Sequence, residues 1–327
     1  MAAIIDGLGG APVDYRAQSF ARQLWRFSRP HTIIGTTLSL VALWAMAHGL
    51  GREGASGVGT ADLTDPIPAG GLLLAWVACL GANVYIVGLN QLTDVPLDRI
   101  NKPYLPLASG AWTRRTGWTV ALVGLVASVA ATAASASAWL WWTVGLSLAL
   151  GTAYSLPPTR LKRFPFWAAF CIVAVRSLIV NLLLFAHVAD WSGGLAELPE
   201  LVWLLAVVMF AFAIAIAWFK DLPDVAGDAT FAVRTLPVRL GARRVLRVGM
   251  SVLLLALAGV SVYAGRPPGR SPLSLYQGLV IVGLAVAAVR LDLTEATSIR
   301  RFYLTLWGWF FVEYAAFAAA AWLARPA

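Results

Sequence analysis

Apolar residues in this chain do not alternate with polar ones, nor do they recur as a helical stripe; they fill whole runs. Predominantly apolar stretches lie at 31–50, 70–91, 116–137, 138–155, 165–188, 201–219, 246–264, 273–289 and 302–323. A hydrocarbon core about 30 Å thick takes about 20 such residues per helix, so the pattern predicts nine transmembrane helices and an all-α integral membrane protein. The division between the third and fourth runs is weakly marked, since Ala131–Ala138 contains no charge and no proline. Ahead of the first run, Tyr15–Phe27 interleaves Arg16, Arg22 and Arg26 with Phe20, Leu24, Trp25 and Phe27, which predicts an amphipathic helix on the membrane surface. Residues 1–20 lack a basic region before a short apolar core, so no signal peptide is predicted. The organisation expected is a cytoplasmic segment over 1–30 followed by one transmembrane domain over 31–327. The Gly- and Pro-rich outer loop at 51–70 reads as a connector. Inner loops near 92–115 and 220–245 mix charge, proline and apolar residues, as ordered structure over the membrane does.

Composition agrees with the pattern. The chain is 59% hydrophobic and 13% charged, with a mean hydropathy of +0.74. Soluble domains carry about 25% charge, which excludes a water-soluble enzyme, a disordered chain and a nucleic-acid reader. The net charge of +9 therefore has another origin. With the N-terminus inside, basic residues gather on one side: Arg16, Arg22, Arg26 and Arg29; Arg99, Lys102, Arg114 and Arg115; Arg160, Lys162 and Arg163. Lys220, Arg234, Arg239, Arg243, Arg244 and Arg247 follow, then Arg290, Arg300 and Arg301. The other side holds Arg52, Arg266, Arg270 and Arg325, and Arg176 falls inside a run. That asymmetry is the positive-inside pattern of an odd number of spans. The 3 lysines among 25 basic residues, with abundant Ala, Gly and Trp, suggest a high-GC bacterium and hence its inner membrane. Cys79 and Cys171 are far apart in apolar runs and read as small packing residues.

Five acidic residues form two groups at the inner ends of even-numbered runs: Asn90-x3-Asp94-x3-Asp98 and Asp221-x2-Asp224-x3-Asp228. At these spacings each group shares one helical face. Stacked carboxylates repel, and a cation removes the cost. Two such clusters facing each other suit Mg²⁺, which prefers carboxylates together with substrate phosphates. Arg99, Lys102, Lys162 and Lys220 lie close in sequence to balance the remaining phosphate charge. Pro96 deletes a helical donor between Asp94 and Asp98 and predicts a kink there.

These two groups resemble the aspartate motifs of the UbiA superfamily of intramembrane prenyltransferases. The resemblance extends over nearly the whole chain. It includes Phe27-Ser28-Arg29-Pro30-His31-Thr32-Ile33-Ile34-Gly35-Thr36-Thr37, Asn101-Lys102-Pro103-Tyr104-Leu105-Pro106-Leu107-Ala108-Ser109-Gly110, Tyr154-Ser155, Lys162-Arg163-Phe164, Ala174-Val175-Arg176 and Arg234-Thr235-Leu236-Pro237-Val238-Arg239-Leu240-Gly241. Together these are similar to the homogentisate branch, the enzymes of tocopherol and plastoquinone biosynthesis. Leu105-Pro106 stands where the 4-hydroxybenzoate branch has an Arg-Pro pair, and Pro96 is a departure from the first motif.

The resemblance implies nine helices around a central cavity, with a cytoplasmic helical cap from the 2–3 and 6–7 loops. It implies Mg²⁺ bound by Asp94, Asp98, Asp221, Asp224 and Asp228, with Asn90 ordering the first group. It further implies that Lys102 and Lys162 neutralise the diphosphate of a prenyl donor, with Tyr154 and Ser155 beside them. Arg29, His31 and Lys220 are further substrate-binding candidates. Arg176, an arginine inside a span, is expected to face a cavity wall. Glu313, deep in the last run, is expected to pair or stay protonated, and His48 and His187 are expected at the outer interface. The activity implied is prenyl transfer to homogentisate, with loss of the acceptor's carboxylate as CO₂. Two rivals share these features: a membrane terpene cyclase that ionises the same diphosphate without an acceptor, and a cation transporter, whose site would lie nearer the midplane.

Overall fold

The structure is a computed structural model and describes residues 14–51, 66–220, 222, 235–266 and 271–323. Among the described residues all regular structure is helical. In chain order the helices are α1 (Phe20–Phe27), α2 (Pro30–Leu50), α3 (Ala69–Asn101), α4 (Pro106–Ser109), α5 (Arg114–Ala134), α6 (Ala138–Ser155), α7 (Pro165–Val188), α8 (Glu200–Phe219), α9 (Leu236–Leu240), α10 (Ala242–Ala264), α11 (Ser271–Val289) and α12 (Ala296–Leu323). Eight of them are long and apolar enough to cross a membrane: α2, α3, α5, α7, α8, α10, α11 and α12. The fourth predicted span is the helix α6. Its 18 residues reach about 27 Å and include Trp139, Trp141, Trp142 and Tyr154, and it is not among the eight. Large apolar side chains face outward, among them Leu275, Leu255 and Val126. The protein is an integral membrane protein.

Local chemistry sets the helix ends. The weakly marked third boundary falls at Ser135-Ala136, where Ala136 takes a positive φ of 52°. Ser137 then caps α6 by accepting from the Leu140 N–H at 3.3 Å, and Thr113 caps α5 through Thr116 at 3.1 Å. Pro106, Pro165 and Pro237 open their helices in the first turn. The amphipathic segment is shorter than predicted. Its helix begins at Phe20 rather than Tyr15. Arg26 does not face outward: it is 5% exposed, with its guanidinium 4.9 Å from the Tyr15 ring centre. Short helices α4 and α9 occupy the two inner loops predicted to be ordered.

The chain divides into two compact units: 1–40 with 68–161, and 41–67 with 162–327. In the first, α3 lies directly against α5 because glycines remove the side chains between them. A Cβ on Gly81 would sit 2.5 Å from the Gly124 carbonyl oxygen, and one on Gly124 would sit 2.9 Å from that of Gly81. Such small-residue contacts let membrane helices associate by backbone packing. Ser128 adds a buried bond to the Ala78 carbonyl at 2.7 Å. Seven residues along α3, Gly88 makes room for the Phe27 ring. Phe27 joins Leu92, Val95, Leu107, Trp112 and Ala121 in a core cluster of this unit.

In the second unit, α8 packs against α7, α10 and α12. The middle of α7, Ala174–Leu183, winds as a wider π-helix. Glu313 is fully buried; it accepts from the Gln277 side chain at 2.7 Å and has the Tyr276 hydroxyl beside it as a second partner. His187, in the last turn of α7, is 3% exposed.

Candidate active site

The first aspartate motif sits on the C-terminal third of α3. Asp94 leaves helical geometry (φ −116°, ψ 16°) two residues before Pro96. The proline has no N–H for the Leu92 carbonyl, and its ring crowds that oxygen. The predicted kink is therefore present, and it separates Asp94 from the regular helix that carries Asp98.

Three chain segments reach this kink within the first unit. From α3 itself, Asn90 donates its amide to Asp94 Oδ2 at 3.3 Å. From the α1–α2 turn, Arg29 Nη2 donates to Asn90 Oδ1 at 2.9 Å. From the turn after α6, Arg160 Nη2 stands 3.3 Å from Asp94 Oδ1. One turn along α3, Lys102 Nζ lies 3.7 Å from Asp98 Oδ1, and the Asp98 side chain is 5% exposed. Ser155, the last residue of α6, is fully buried, and its hydroxyl has no partner among the described residues. Tyr154 beside it is half-buried, and His31 is exposed on the first turn of α2.

The α1–α2 turn that aims Arg29 is itself held from α3. Gln91, 1% exposed, donates to the Phe27 carbonyl at 2.6 Å, and Asn83 reaches the Ser28 carbonyl at 3.4 Å. Arg29 takes a left-handed backbone (φ 53°), and the Thr32 hydroxyl bonds its carbonyl at 2.8 Å. Gln91→Leu removes the side-chain donor to the Phe27 carbonyl and leaves that buried oxygen short of a partner. This is expected to cost about 1–3 kcal/mol. The thermal midpoint in detergent should fall, and Arg29 should lose its register with Asn90; an unchanged midpoint would show that the latch carries no energy.

Other predicted residues belong to the second unit. Lys162 is half-buried in the turn Leu161–Arg163, which bridges the end of one unit and the start of the next. Arg176 belongs to the second unit, on the π-helical stretch of α7, with its guanidinium 4.8 Å from the Trp307 ring centre. Lys220 caps the C-terminal end of α8. Asp221, Asp224 and Asp228 lie outside the described residues. Two residues at the site carried no signal in the motif reading. Arg160 looked like one more loop charge, and Gln91 like a neighbour of Asn90; only a buried amide inside a polar run could have pointed to the latter.

The donors present fit a hard divalent cation. Asp94, Asp98 and Asn90 offer carboxylate and amide oxygens, the ligand type Mg²⁺ takes. Among the described residues no three His, Cys, Asp or Glu side chains gather, so the first motif is an incomplete shell by itself. Cations already stand against both carboxylates, Arg160 at Asp94 and Lys102 at Asp98. Among the described residues Arg29 joins them through Asn90, and cations grouped in this way suit a polyanion such as a diphosphate.

The chain matches the UbiA prenyltransferase family over residues 55–323. It is 43% identical over 304 residues to homogentisate phytyltransferase of Synechocystis, covering 91% of this chain and 95% of that one. To homogentisate geranylgeranyltransferase of Hordeum vulgare it is 35% identical over 305 residues, covering 90% and 71%. Among solved structures, a UbiA homolog from Archaeoglobus fulgidus bound to GPP and Mg²⁺ superposes with a TM-score of 0.60 at 18% identity, covering 91% of this chain and 99% of that one.

Proposed function

The chain belongs to the UbiA prenyltransferase family, and from that premise we propose that it transfers a phytyl or geranylgeranyl group from its diphosphate to homogentisate, with loss of the acceptor's carboxylate as CO₂. One observation carries the acceptor: identity of 43% along nearly the full length of a homogentisate phytyltransferase. A second relative with a different prenyl chain shares the same acceptor, which makes homogentisate the constant and chain length the variable.

In this reading Asp94 and Asp98, with Asp221, Asp224 and Asp228 of the second motif, hold Mg²⁺, which when bound draws charge from the leaving diphosphate. Asn90 orders the first motif, fixed in turn by Arg29. Lys102, Lys162 and Lys220 take up diphosphate charge, and the Tyr154 and Ser155 hydroxyls bond its oxygens. The C1–O bond of the donor breaks, and the departing diphosphate keeps the electron pair. The electron-rich ring of the acceptor attacks C1 of the allylic cation, which survives only where water is excluded. CO₂ leaves the acceptor's side chain, and the proton displaced from the attacked ring carbon ends on the methylene left behind, making it a methyl group. Arg176 beside Trp307 and exposed His31 complete the substrate-binding set. The segment 1–30 precedes one prenyltransferase domain over 31–327, in a bacterial inner membrane with the N-terminus and active site cytoplasmic. The one-sided distribution of basic residues supports that orientation.

The test is a mass-spectrometric assay on the protein in detergent with Mg²⁺. It offers homogentisate and 4-hydroxybenzoate separately, each with geranyl, geranylgeranyl and phytyl diphosphates. A prenylated, decarboxylated product from homogentisate that disappears with EDTA is the expected result. A hydrocarbon or terpene alcohol formed without acceptor would replace this reading with a cyclase.

A further inference from the structure

Arg160 belongs to none of the stretches that carry the family resemblance, yet its side chain stands against Asp94. The turn that places it is specific. After α6 the chain passes through Leu156-Pro157-Pro158-Thr159, and the Arg160 N–H donates back to the Leu156 carbonyl at 2.7 Å. The Thr159 hydroxyl bonds the Ala153 and Leu156 carbonyls at 3.0 and 3.1 Å. Arg160 is held there with a positive φ of 35°, a conformation L side chains disfavour. The same turn that imposes it points the guanidinium at the kink in α3.

The contact it makes is loose. Nη2 stands 3.3 Å from Asp94 Oδ1 and 3.5 Å from the Thr93 carbonyl. A settled charge-assisted bond measures about 2.7–2.9 Å, and arginine grips a carboxylate best with two parallel bonds. Here one nitrogen faces one carboxylate oxygen. The Nε–H, meanwhile, is buried with no acceptor among the described residues. A guanidinium with a weak hold on one anion and an unused donor is suited to exchange partners.

We propose that Arg160 is an exchangeable counter-ion. It occupies Asp94 Oδ1 while the first motif lacks a metal, and it transfers to the donor's diphosphate when the divalent cation takes that carboxylate. The inference rests on the metal and diphosphate reading above. Its consequence is coupling with a defined sign. Guanidinium and metal compete for one oxygen, so Arg160 weakens binding of metal alone. Once displaced, it adds two N–H donors to the diphosphate, so it strengthens diphosphate binding in the presence of metal. Metal and donor thereby favour each other's binding, and the coupling is reciprocal.

Calorimetric titrations of the full chain in lipid nanodiscs test this, first with Mg²⁺ alone, then with inorganic pyrophosphate at saturating Mg²⁺. For Arg160→Gln the expected result is Mg²⁺ affinity raised about fivefold and pyrophosphate affinity lowered about tenfold, within the usual range of site coupling. Arg160→Lys keeps the charge but not the fork. It should leave Mg²⁺ affinity near that of the unaltered protein, with pyrophosphate binding between the other two. Loss of both affinities in Arg160→Gln would make Arg160 a prop for its loop and overturn the proposal, as would no change in either. If Arg160→Gln does not fold, Arg160→Lys decides alone, with pyrophosphate binding weakened at unchanged Mg²⁺ affinity as the supporting outcome and any other pattern opposing it. An unaltered protein that binds neither Mg²⁺ nor pyrophosphate would bring down the diphosphate reading itself, and this one with it.

Discussion

Asp94→Ala is expected to lower prenyl transfer by on the order of 10³-fold, the scale seen when one group that stabilises developing charge is removed from a water-poor site. Asp94 has a greater effect than its neighbours because it is where three segments of the first unit converge. Asn90 bonds one of its oxygens, Arg160 faces the other, and Arg29 is tied in through Asn90. Removing the carboxylate deletes a metal ligand of the proposed set. It also leaves Arg160 without the anion that opposes it, so the local balance of charge shifts further toward cation. Asp94→Asn keeps the shape and the Asn90 contact while removing the charge. It should be nearly as inactive, yet its thermal midpoint should stay within a few degrees of the unaltered protein. That pairing separates chemistry from folding. A variant Asp94→Asn that retained a tenth or more of the turnover at saturating Mg²⁺ would remove Asp94 from the metal set.

The largest expected effect on folding comes from a glycine far from any charge. In Gly81→Val a branched side chain would enter the α3–α5 contact, where a Cβ alone already meets the Gly124 carbonyl oxygen at 2.5 Å and the Ser128 nitrogen at 2.9 Å. Both are backbone atoms of a hydrogen-bonded helix, so neither can rotate aside, and α3 must move off α5. Overpacking of this kind costs about 1–3 kcal/mol where side chains can yield, and a rigid backbone on the far side puts this site at or above the top of that range. The buried Ser128–Ala78 bond would be strained by the same separation. The expected result is little monodisperse protein on size exclusion in detergent. Gly145→Ala and Gly278→Ala serve as controls, because nothing lies within 4 Å of an added Cβ at either position. Both should be neutral or slightly stabilising, since alanine is the better helix former. A well-behaved Gly81→Val protein would mean that α3 and α5 are not as close as described here. Because α3 also carries Asn90, Asp94 and Asp98, partial retention of fold should still come with poor activity.

Much of this molecule is legible in one dimension. Long apolar runs specify membrane helices because the bilayer leaves the backbone no partner but itself, and eight of the predicted nine meet the demands of length and apolarity. The exception, α6, reads in sequence as one more apolar run, and its three tryptophans and a tyrosine set it apart. The kink at Asp94 was legible because Pro96 removes a donor whatever surrounds it. The end of α5 was less so. Ser135-Ala136-Ser137 carries no proline or glycine, and the break rests on a capping hydroxyl and one left-handed alanine.

Candidate site residues divide the same way. Asn90, Asp94, Asp98 and Lys102 are neighbours on one helix, so their spacing in sequence is close to their spacing in space. Arg29 and Arg160 are 61 and 66 residues from the groups they reach, Asn90 and Asp94. No periodicity carries that information. What brings Arg29 in is a buried amide, Gln91, gripping a backbone carbonyl in another helix. For Arg160 it is a turn closed by its own N–H and the Thr159 hydroxyl. Sequence alone determined that this chain is helical, lies in a membrane, and carries acidic groups paired with basic ones at the ends of its spans, because each of those follows from local composition and helical spacing. Tertiary structure decided which cation faces which carboxylate and how near α3 may come to α5. Those depend on where the chain returns in space, and a glycine or an arginine looks the same in sequence whether its neighbour is a helix backbone or lipid.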